Sequence, residues 1–373
     1  MTLLINRSHW RKAKFGSVID SITDRVDNPS ESGVERYVGL EHLDTGSMTI
    51  SRWGTPDQVE ATKLLFKNGD VIFGRRRAYQ KKVSMAEFDG ICSAHALVLR
   101  GKTGQIDPLF LPVFLSSNTF LERAIKISVG SLSPTVNWKT LALQEFMFPP
   151  IEQQKKIANL LWLIDHHKKN LQNLNLDLNQ LRNLFIESAF NGSTNLPGKN
   201  PKSFMSLGGC AIVLRGEAIT KKEVSLGDVP VVAGGMNPAY FHNVSNRTGK
   251  CITISASGAN AGFINTWEIP IWASDCTTVQ TKVPAEFSFD YIHAFLISQQ
   301  ETIYKRLRKG SAQPHVYSSE IEKLQIPILD PSEQRAITAV NSRYSEAIHG
   351  IEQEIFALSV LFTSILDSIF GEV

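Results

Sequence analysis

One pattern occurs twice in this chain, and each copy holds a helix too long for a small domain to bury. Residues 149–192 read PPIEQQKKIANLLWLIDHHKKNLQNLNLDLNQLRNLFIESAFNG, with apolar residues at Ile157, Leu160, Ile164, Leu171, Leu174, Leu178, Leu181 and Phe185. Apart from the polar His167 in one slot, steps of three and four alternate, which is the seam of a coiled coil. Pro149 and Pro150 precede the helix, Glu152 lies in its first turn, and Asn191-Gly192 supplies a stop. A helix of roughly 39 residues is about 58 Å long at 1.5 Å per residue, so it must pack lengthwise against a partner.

The chain supplies that partner. Residues 331–370 repeat the pattern, with a seam at Ile337, Val340, Tyr344, Ala347, Ile351, Ile355, Leu358, Phe362, Ile365 and Ile369. The offset is constant, since 334 − 154 = 180 for the two glutamines and 370 − 190 = 180 for the two phenylalanines. It also carries Gly130-Ser131 onto Gly310-Ser311, Pro134 onto Pro314, Val136 onto Val316 and Gly69 onto Gly249. Near the start of each copy the offset becomes 192, from Phe15-Gly16 to Leu207-Gly208, so the first copy carries about 12 extra residues, a loop-sized insertion. The chain is therefore a tandem duplication of a globular head followed by a long helix: 1–148 head, 149–192 helix, 193–328 head with a Gly/Ser/Pro-containing linker at 193–203, and 329–373 helix.

Within the first head, residues 37–46, 64–76 and 90–100 read as strands, and Asn68-Gly69-Asp70 as a turn. Asp107-Pro108 is placed to cap a helix running to Leu121, with a second short helix over 122–127. In the second head, strand-like runs fall at 229–235, 250–258, 262–267, 269–274 and 276–283, and 289–310 has helical spacing. Each head is thus mixed α/β, and the fold class is α+β.

Composition narrows the function. A net charge of +3 with a pI near 8.6 permits a nucleic-acid partner without requiring one. Cys92, Cys210, Cys251 and Cys276 form no C-x-x-C pair, which predicts reduced thiols and a cytoplasmic protein. No apolar run suggests a membrane span, and the start MTLLINRSHWRKAKFGS has no signal-peptide core.

No catalytic constellation emerges. Asp107-Pro108-Leu109-Phe110 distantly resembles the D-P-P-Y tetrapeptide of amino-methyltransferases but lacks its second proline, and a helix cap explains it better. There is no phosphate-binding G-x-x-x-x-G-K-[ST], and no carboxylate stands at nuclease spacing from Lys63. His166 and His167 are adjacent on a helix, so they diverge and make a poor metal pair; His167 reads as a register-setting polar residue in the seam. The strongest binding candidate is GRRRAYQKK, with Arg75, Arg76, Arg77, Tyr79, Lys81 and Lys82 on a loop after a strand. Arginine can read guanine bidentately, and both cations neutralise phosphates. A solvated basic turn would read the same way. At the aligned place in the second half stands SASGANAG, whose Ser255, Ser257 and Asn260 can reach base edges or phosphates, or merely build a Gly-rich hairpin. Ser131, Ser133 and Asn137 in one Gly-Ser loop, and Arg308, Lys309, Ser311 and Gln313 around the other, complete the candidate DNA-binding set.

Taken together, FPPIEQQKKIANLL with its leucine seam, the weaker echo ILDPSEQRAI, the loops GSLSPTV and GSAQPHV, the GDVIFGRRR block and ISASGANAGFI resemble the specificity (S) subunit of Type I restriction-modification systems. Gln153 stands where that family usually has an acidic residue. The resemblance implies two similar target-recognition domains separated by two long antiparallel coiled-coil helices, with an approximate internal two-fold axis. It implies a non-catalytic subunit that reads a bipartite, asymmetric site in double-stranded DNA, one half-site per domain. Two methylation subunits would dock on the helices, and restriction subunits through them. S-adenosylmethionine would sit on the methylation subunit, with no cofactor on this chain. Two alternatives remain: the specificity subunit of a related two-part Type II system, and a coiled-coil adaptor that binds protein only.

Overall fold

The structure, a computed structural model, describes residues 6–191, 203–310 and 313–371. All but Ser203 of the expected linker, and Ser311 of the candidate site, lie outside the described residues. Two long helices, Ile151–Asn191 and Pro331–Phe370, dominate. The chain divides into two compact units, Met1–Asn173 with Gln353–Val373, and Leu174–Glu352, and the division falls within both long helices. Each unit therefore holds one head, one segment of each helix and its own core.

In the first unit, one antiparallel sheet has the order Ile19–Ile22, Ala96–Gly101, Val71–Gly74, Val83–Met85. A second has the order Arg25–Val26, Lys63–Phe66, Gly90–Ser93, Tyr37–Val38, its last pair parallel. Helices Phe110–Leu115 and Asn118–Lys126 cover the first sheet with an aromatic core of Phe15, Phe73, Phe110, Phe114, Phe120, Phe146 and Phe148. The helix pair joins that core through Ile157, Ala158, Leu161, Trp162 and Ile164 on one helix and Phe362, Ile365, Leu366 and Ile369 on the other. The pairing is antiparallel: as the first helix advances from these residues to His167, its partner recedes to Glu354, 3.1 Å away.

The second unit repeats the plan with fewer strands. Its main sheet runs Ala211–Arg215, Cys276–Thr281, Cys251–Ser255, Ile264–Trp267, all antiparallel. A smaller sheet joins Tyr240–His242, Val229–Val232 and Trp272–Ala273, the last pair parallel. Helix Phe289–Ser298 buries Tyr291, Ile292 and Phe295 against Ile186, Phe190 and Ile337 of the helix pair. Arg182 donates to the Asn341 side chain at 3.0 Å and the Phe185 and Tyr344 rings lie 6.3 Å apart, so the helices are antiparallel here too.

Equivalent bonds confirm the duplication atom by atom. In both heads the first strand pairs with the strand that leads into a long helix, Arg11–Lys14 with Glu145–Phe148 and Phe204–Ser206 with Gln325–Pro327. The Lys102 ammonium donates to the Gly16 carbonyl, and that of Lys282 to the Gly208 carbonyl. The offset is 180 for the lysines but 192 for the glycines, which places the extra residues of the first copy between them. One turn into each long helix a buried glutamine ties helix to head. Gln154 accepts from the Asp107 amide (2.8 Å) and donates to the carbonyls of Gln105 (3.1 Å) and Pro149 (2.9 Å). Gln334 accepts from Ser288 (3.1 Å) and donates to Glu286 (2.6 Å) and Leu329 (2.9 Å). Each glutamine, itself buried, satisfies three backbone groups, and leaving a buried group unpaired costs about 1–3 kcal/mol.

Several expectations are corrected. The seam runs through Ile157, Leu161, Ile164 and Leu171, and then through the half-buried Asn175, Leu178, Arg182 and Phe185, whereas Leu160, Leu174 and Leu181 are 38%, 45% and 51% exposed. On the partner, Asn341 and Ile348 take the places expected of Val340 and Ala347. Apolarity favoured the leucines, but the seam accepts polar residues that find partners within it, as Arg182 and Asn341 do. His167 is half exposed beside Glu354 on the flank of the seam. Residues 90–100 form two strands with a turn at Ala94-His95. The helix expected from Asp107 begins at Phe110, with the Asp107 carboxylate accepting from the Leu109 amide, and the next helix begins at Asn118 under a Ser117 cap. The stretch 289–310 is helical as expected, as Phe289–Ser298, then Gln300–Thr302 after a break at Gln299, and last a wider π-helical turn over Ile303–Leu307. Finally, Pro331–Phe370 is long and apolar enough, at a mean hydropathy of 1.4 over 18 residues, to cross a membrane by length and composition, contrary to expectation. Such a window also arises in a helix with one face in a core and further apolar residues outside it, and this helix is of that kind.

Candidate nucleic-acid interface

In each unit a loop that follows a central strand is stitched to the Gly-Ser loop that precedes the short helix before the last strand. The first unit joins residues 74–82 to 129–137. The Val136 amide donates to the Arg75 carbonyl (2.9 Å), the Arg77 amide to Pro134 (2.8 Å), and Val129 and Thr135 exchange bonds of 3.1 and 3.0 Å. The second unit joins 255–262 to 308–316 by the same bonds: Val316 to Ala256 (2.9 Å), Gly258 to Pro314 (3.0 Å), and Lys309 with His315 (2.8 and 2.7 Å). The bridge Arg76↔Thr135 has its counterpart in Ser257↔His315. Arg75, Arg76 and Arg77 thus stand in the first unit where Ala256, Ser257 and Gly258 stand in the second. Gly130 and Gly310 open the two Gly-Ser loops at φ 116° and 91°, a turn that a side chain would strain.

The side chains on this shared frame differ. The Arg76 guanidinium reaches Ser133 Oγ at 3.3 Å and His95 Nε2 at 3.4 Å, both long for hydrogen bonds. The His95 imidazole is held below its usual pKa by partial burial and then by Arg76 and Arg75. Beside them a cleft of about 300 Å³ is lined by Glu41, Arg76, Arg77, Gln80, Ser93 and His95. The Arg75 Nε is buried without a hydrogen-bond partner among the described residues. Arg77 and Lys81 both adopt left-handed backbone, φ 57° and 53°, on either side of the Ala78–Gln80 turn. For a residue with a side chain this costs on the order of 1 kcal/mol, a strain that tends to be kept at binding surfaces.

In the second unit the Ser257 hydroxyl donates to the Asp275 carboxylate, and Asp275 occupies the place of His95. Gly234 lies against this pair: a Cβ there would come within 2.8 Å of the Ser257 carbonyl and 3.4 Å of Asp275 Oδ2.

The expected site residues fall into two groups. Arg76, Arg77, Tyr79 (52% exposed), Ser131 and Ser133 gather at the surface of the first frame, and Ser257 and Gln313 at that of the second. The others have structural work. Lys81 donates to Asn118 Oδ1 (3.0 Å), Lys82 to the Leu40 carbonyl, and Asn137 caps the helix Trp138–Ala142. Ser255 is a buried strand residue, and Asn260 gives its carbonyl to the Phe263 amide in the turn. Arg308 donates to the Ala261 carbonyl (2.6 Å) and stacks on Tyr304 (4.6 Å), while Lys309 lies 3.8 Å from Glu320. His95 and Asp275 were not expected. Their signal was present, since each is a polar residue in a short break between two strands, His95 between Gly90–Ser93 and Ala96–Gly101 and Asp275 between Trp272–Ala273 and Cys276–Thr281.

Comparison with known proteins gives consistent results. The family model "Type I restriction modification DNA specificity domain" matches twice, over residues 9–179 and 202–357. The Type I restriction enzyme EcoDI specificity subunit of Escherichia coli is 27% identical over 191 residues, covering 50% of this chain; the chain matches only 42% of the length of that relative. Among solved structures, the S subunit of a Type I restriction-modification system from M. genitalium superposes over 99% of this chain and 98% of its own, with a TM-score of 0.66 at 18% identity. A chain from a structure addressing complex assembly and conformational transition of the type I R-M system superposes over 98% of this chain and 99% of its own, with a TM-score of 0.62, also at 18% identity. At that identity the superpositions speak to the fold alone.

Proposed function

Because the chain belongs to the Type I restriction-modification DNA specificity family, we propose that it reads a bipartite, asymmetric site in double-stranded DNA, one half-site per unit, and catalyses nothing itself. The observation that carries this reading is the shared backbone frame dressed with different side chains, Arg75-Arg76-Arg77 with His95 in one unit and Ala256-Ser257-Gly258 with Asp275 in the other. A rigid scaffold that varies only at its loops is how one fold reads different ligands. Two methylation subunits, and restriction subunits through them, dock on the helices in this reading. Exposed leucines outside the seam support it: Leu160 and Leu163 with Phe356, Val360 and Leu361 in the first unit, and Leu174, Leu181 and Leu184 in the second. Apolar residues repeated along one helix face mark a protein-binding surface. S-adenosylmethionine would then belong to the methylation subunit, which must flip its target base into its own pocket. Four buried free thiols accord with a cytoplasmic setting.

The test is the methylated motif in cells. Exchanging residues 1–148 for the head of a related protein is expected to change one half of the motif and keep the other. Change or loss of both halves in a well-folded chimera would overturn the assignment of one half-site to each unit. For docking, Leu163→Asp is expected to leave the isolated chain folded and to weaken co-purification of the methylation subunit at least tenfold. Unaltered co-purification would place the docking surface elsewhere.

A further inference from the structure

We propose that the two frames carry specificity-determining pairs of opposite hydrogen-bonding sense: Arg76 with His95 presents donors to a guanine in the first half-site, and Asp275 with Ser257 presents acceptors to an exocyclic amino group, of cytosine or adenine, in the second. The inference rests on the DNA-reading function proposed above and assigns the chemistry of each half.

The positions are equivalent by backbone bonding and opposite by chemistry. Arg76 and Ser257 occupy the same bridge, against Thr135 and His315. The last strand residue before each loop pairs with the residue that follows His95 or Asp275, Gly74 with Ala96 and Ser255 with Cys276, so these two residues also take the same place beside their loops. In the first unit every side-chain bond of Arg76 is long, at 3.3 and 3.4 Å, which orients the guanidinium while leaving its donor fork available. A planar fork of N–H groups matches the O6 and N7 acceptors of guanine. His95 lines the same cleft, and its ring offers a second donor beside the guanidinium.

In the second unit neither of the two equivalent positions carries a cation, since they hold Ser257 and Asp275. Ser257 donates to one oxygen of Asp275, fixing the carboxylate against Gly234. A carboxylate offers about four acceptor sites, of which the serine takes one. Carboxylates on a DNA-facing surface repel phosphates, so their use lies in accepting from a base amine, as an acidic side chain does from cytosine N4. Two heads alike in frame and opposite in donor–acceptor sense would distinguish the halves of an asymmetric site.

The experiment uses the full chain assembled with its methylation subunits, after methylation profiling has defined the motif. Binding is measured to cognate duplexes in which single bases are replaced by 7-deazaguanine in the first half, or by analogues lacking the exocyclic amine in the second. Wild-type complex is expected to lose about 10–100-fold at one guanine of the first half and at one amine-bearing base of the second. Arg76→Ala should be indifferent to that 7-deazaguanine while keeping its response in the second half, and Asp275→Ala should show the converse. Asp275→Asn, which preserves shape, should relax or change that one position of the methylated motif and controls for folding. A first half-site without any G·C pair would overturn the proposal. So would Arg76→Ala weakening cognate and scrambled duplexes equally with a shallower salt dependence, the mark of a phosphate contact. Wild-type complex that binds all duplexes alike would instead sink the DNA-reading function itself.

Discussion

Leu161→Asp is expected to unfold the first unit at a temperature at least about 10 °C below wild type, while Leu160→Asp, one residue earlier, leaves the midpoint within about 2 °C. Leu161 is 0% exposed and packs in the core shared by the head and both helices, whereas Leu160 is 38% exposed. Truncating a buried leucine costs about 2–5 kcal/mol, and a carboxylate without a partner adds its desolvation, so about 4 kcal/mol or more is at stake. For a unit of this size each kcal/mol moves the midpoint by about 2–4 °C. An exposed substitution stays within about 0.5 kcal/mol. Calorimetry of the isolated chain separates the two. Equal losses at both positions would mean that the seam runs through Leu160 after all.

That pair of neighbours also marks where the sequence stops being legible. Heptad steps locate the seam to within one residue, because positions three and four apart lie on nearly the same face. Ile157, Ile164 and Leu171 were readable for this reason. The other half was readable only in part: Leu178 and Phe185 lie in it as expected, but the chain places Asn175, Arg182 and Asn341 inside it and leaves Leu174 and Leu181 outside. Leucines on an outer face suit a chain that has further partners for them. The duplication was legible in full: equal spacing of Gln154 and Gln334 predicted equal roles, and the two side chains make the same three bonds.

Within the candidate interface, composition did not show which side chains are already bonded within the protein. GRRRAYQKK draws the eye as six cationic or aromatic side chains, yet Lys81 and Lys82 are tied to Asn118 and Leu40, and Arg77 matters as much for its backbone as for its charge. Arg308, expected as a second basic contact, also holds the Ala261 carbonyl. What the sequence could not show is which residues of distant loops meet. His95 and Asp275 reach their frames only through strand pairing, Ala96–Gly101 beside Val71–Gly74 and Cys276–Thr281 beside Cys251–Ser255. Long-range antiparallel register, and not local pattern, decides that part of the site.

A half-buried histidine in the second unit leads to the last expected result, a loss of stability in acid that this one group controls. The His293 imidazole has its pKa pushed down to about 4, first by burial, then by the charge of Arg182, against a smaller opposite pull from Asp290. In the unfolded chain the same group titrates near 6.5. Above pH 6.5 it is neutral in both states and adds no pH dependence. As pH falls from about 6.5 toward 4, the unfolded state takes up a proton that the folded state refuses, so stability falls with a slope approaching 1.4 kcal/mol per pH unit. Across the whole window the loss is about 3 kcal/mol. Other groups titrate in the same range, so the comparison that isolates His293 is the difference between wild type and His293→Gln, followed by chemical denaturation from pH 7.5 to 4.5. The variant keeps a polar side chain but cannot gain a charge beside Arg182, and its stability relative to wild type should rise by about 2–3 kcal/mol over that interval. A difference that stays flat with pH would show that His293 accepts its proton in the folded state, and that the guanidinium of Arg182 and the packing around the helix Phe289–Ser298 do not exclude it.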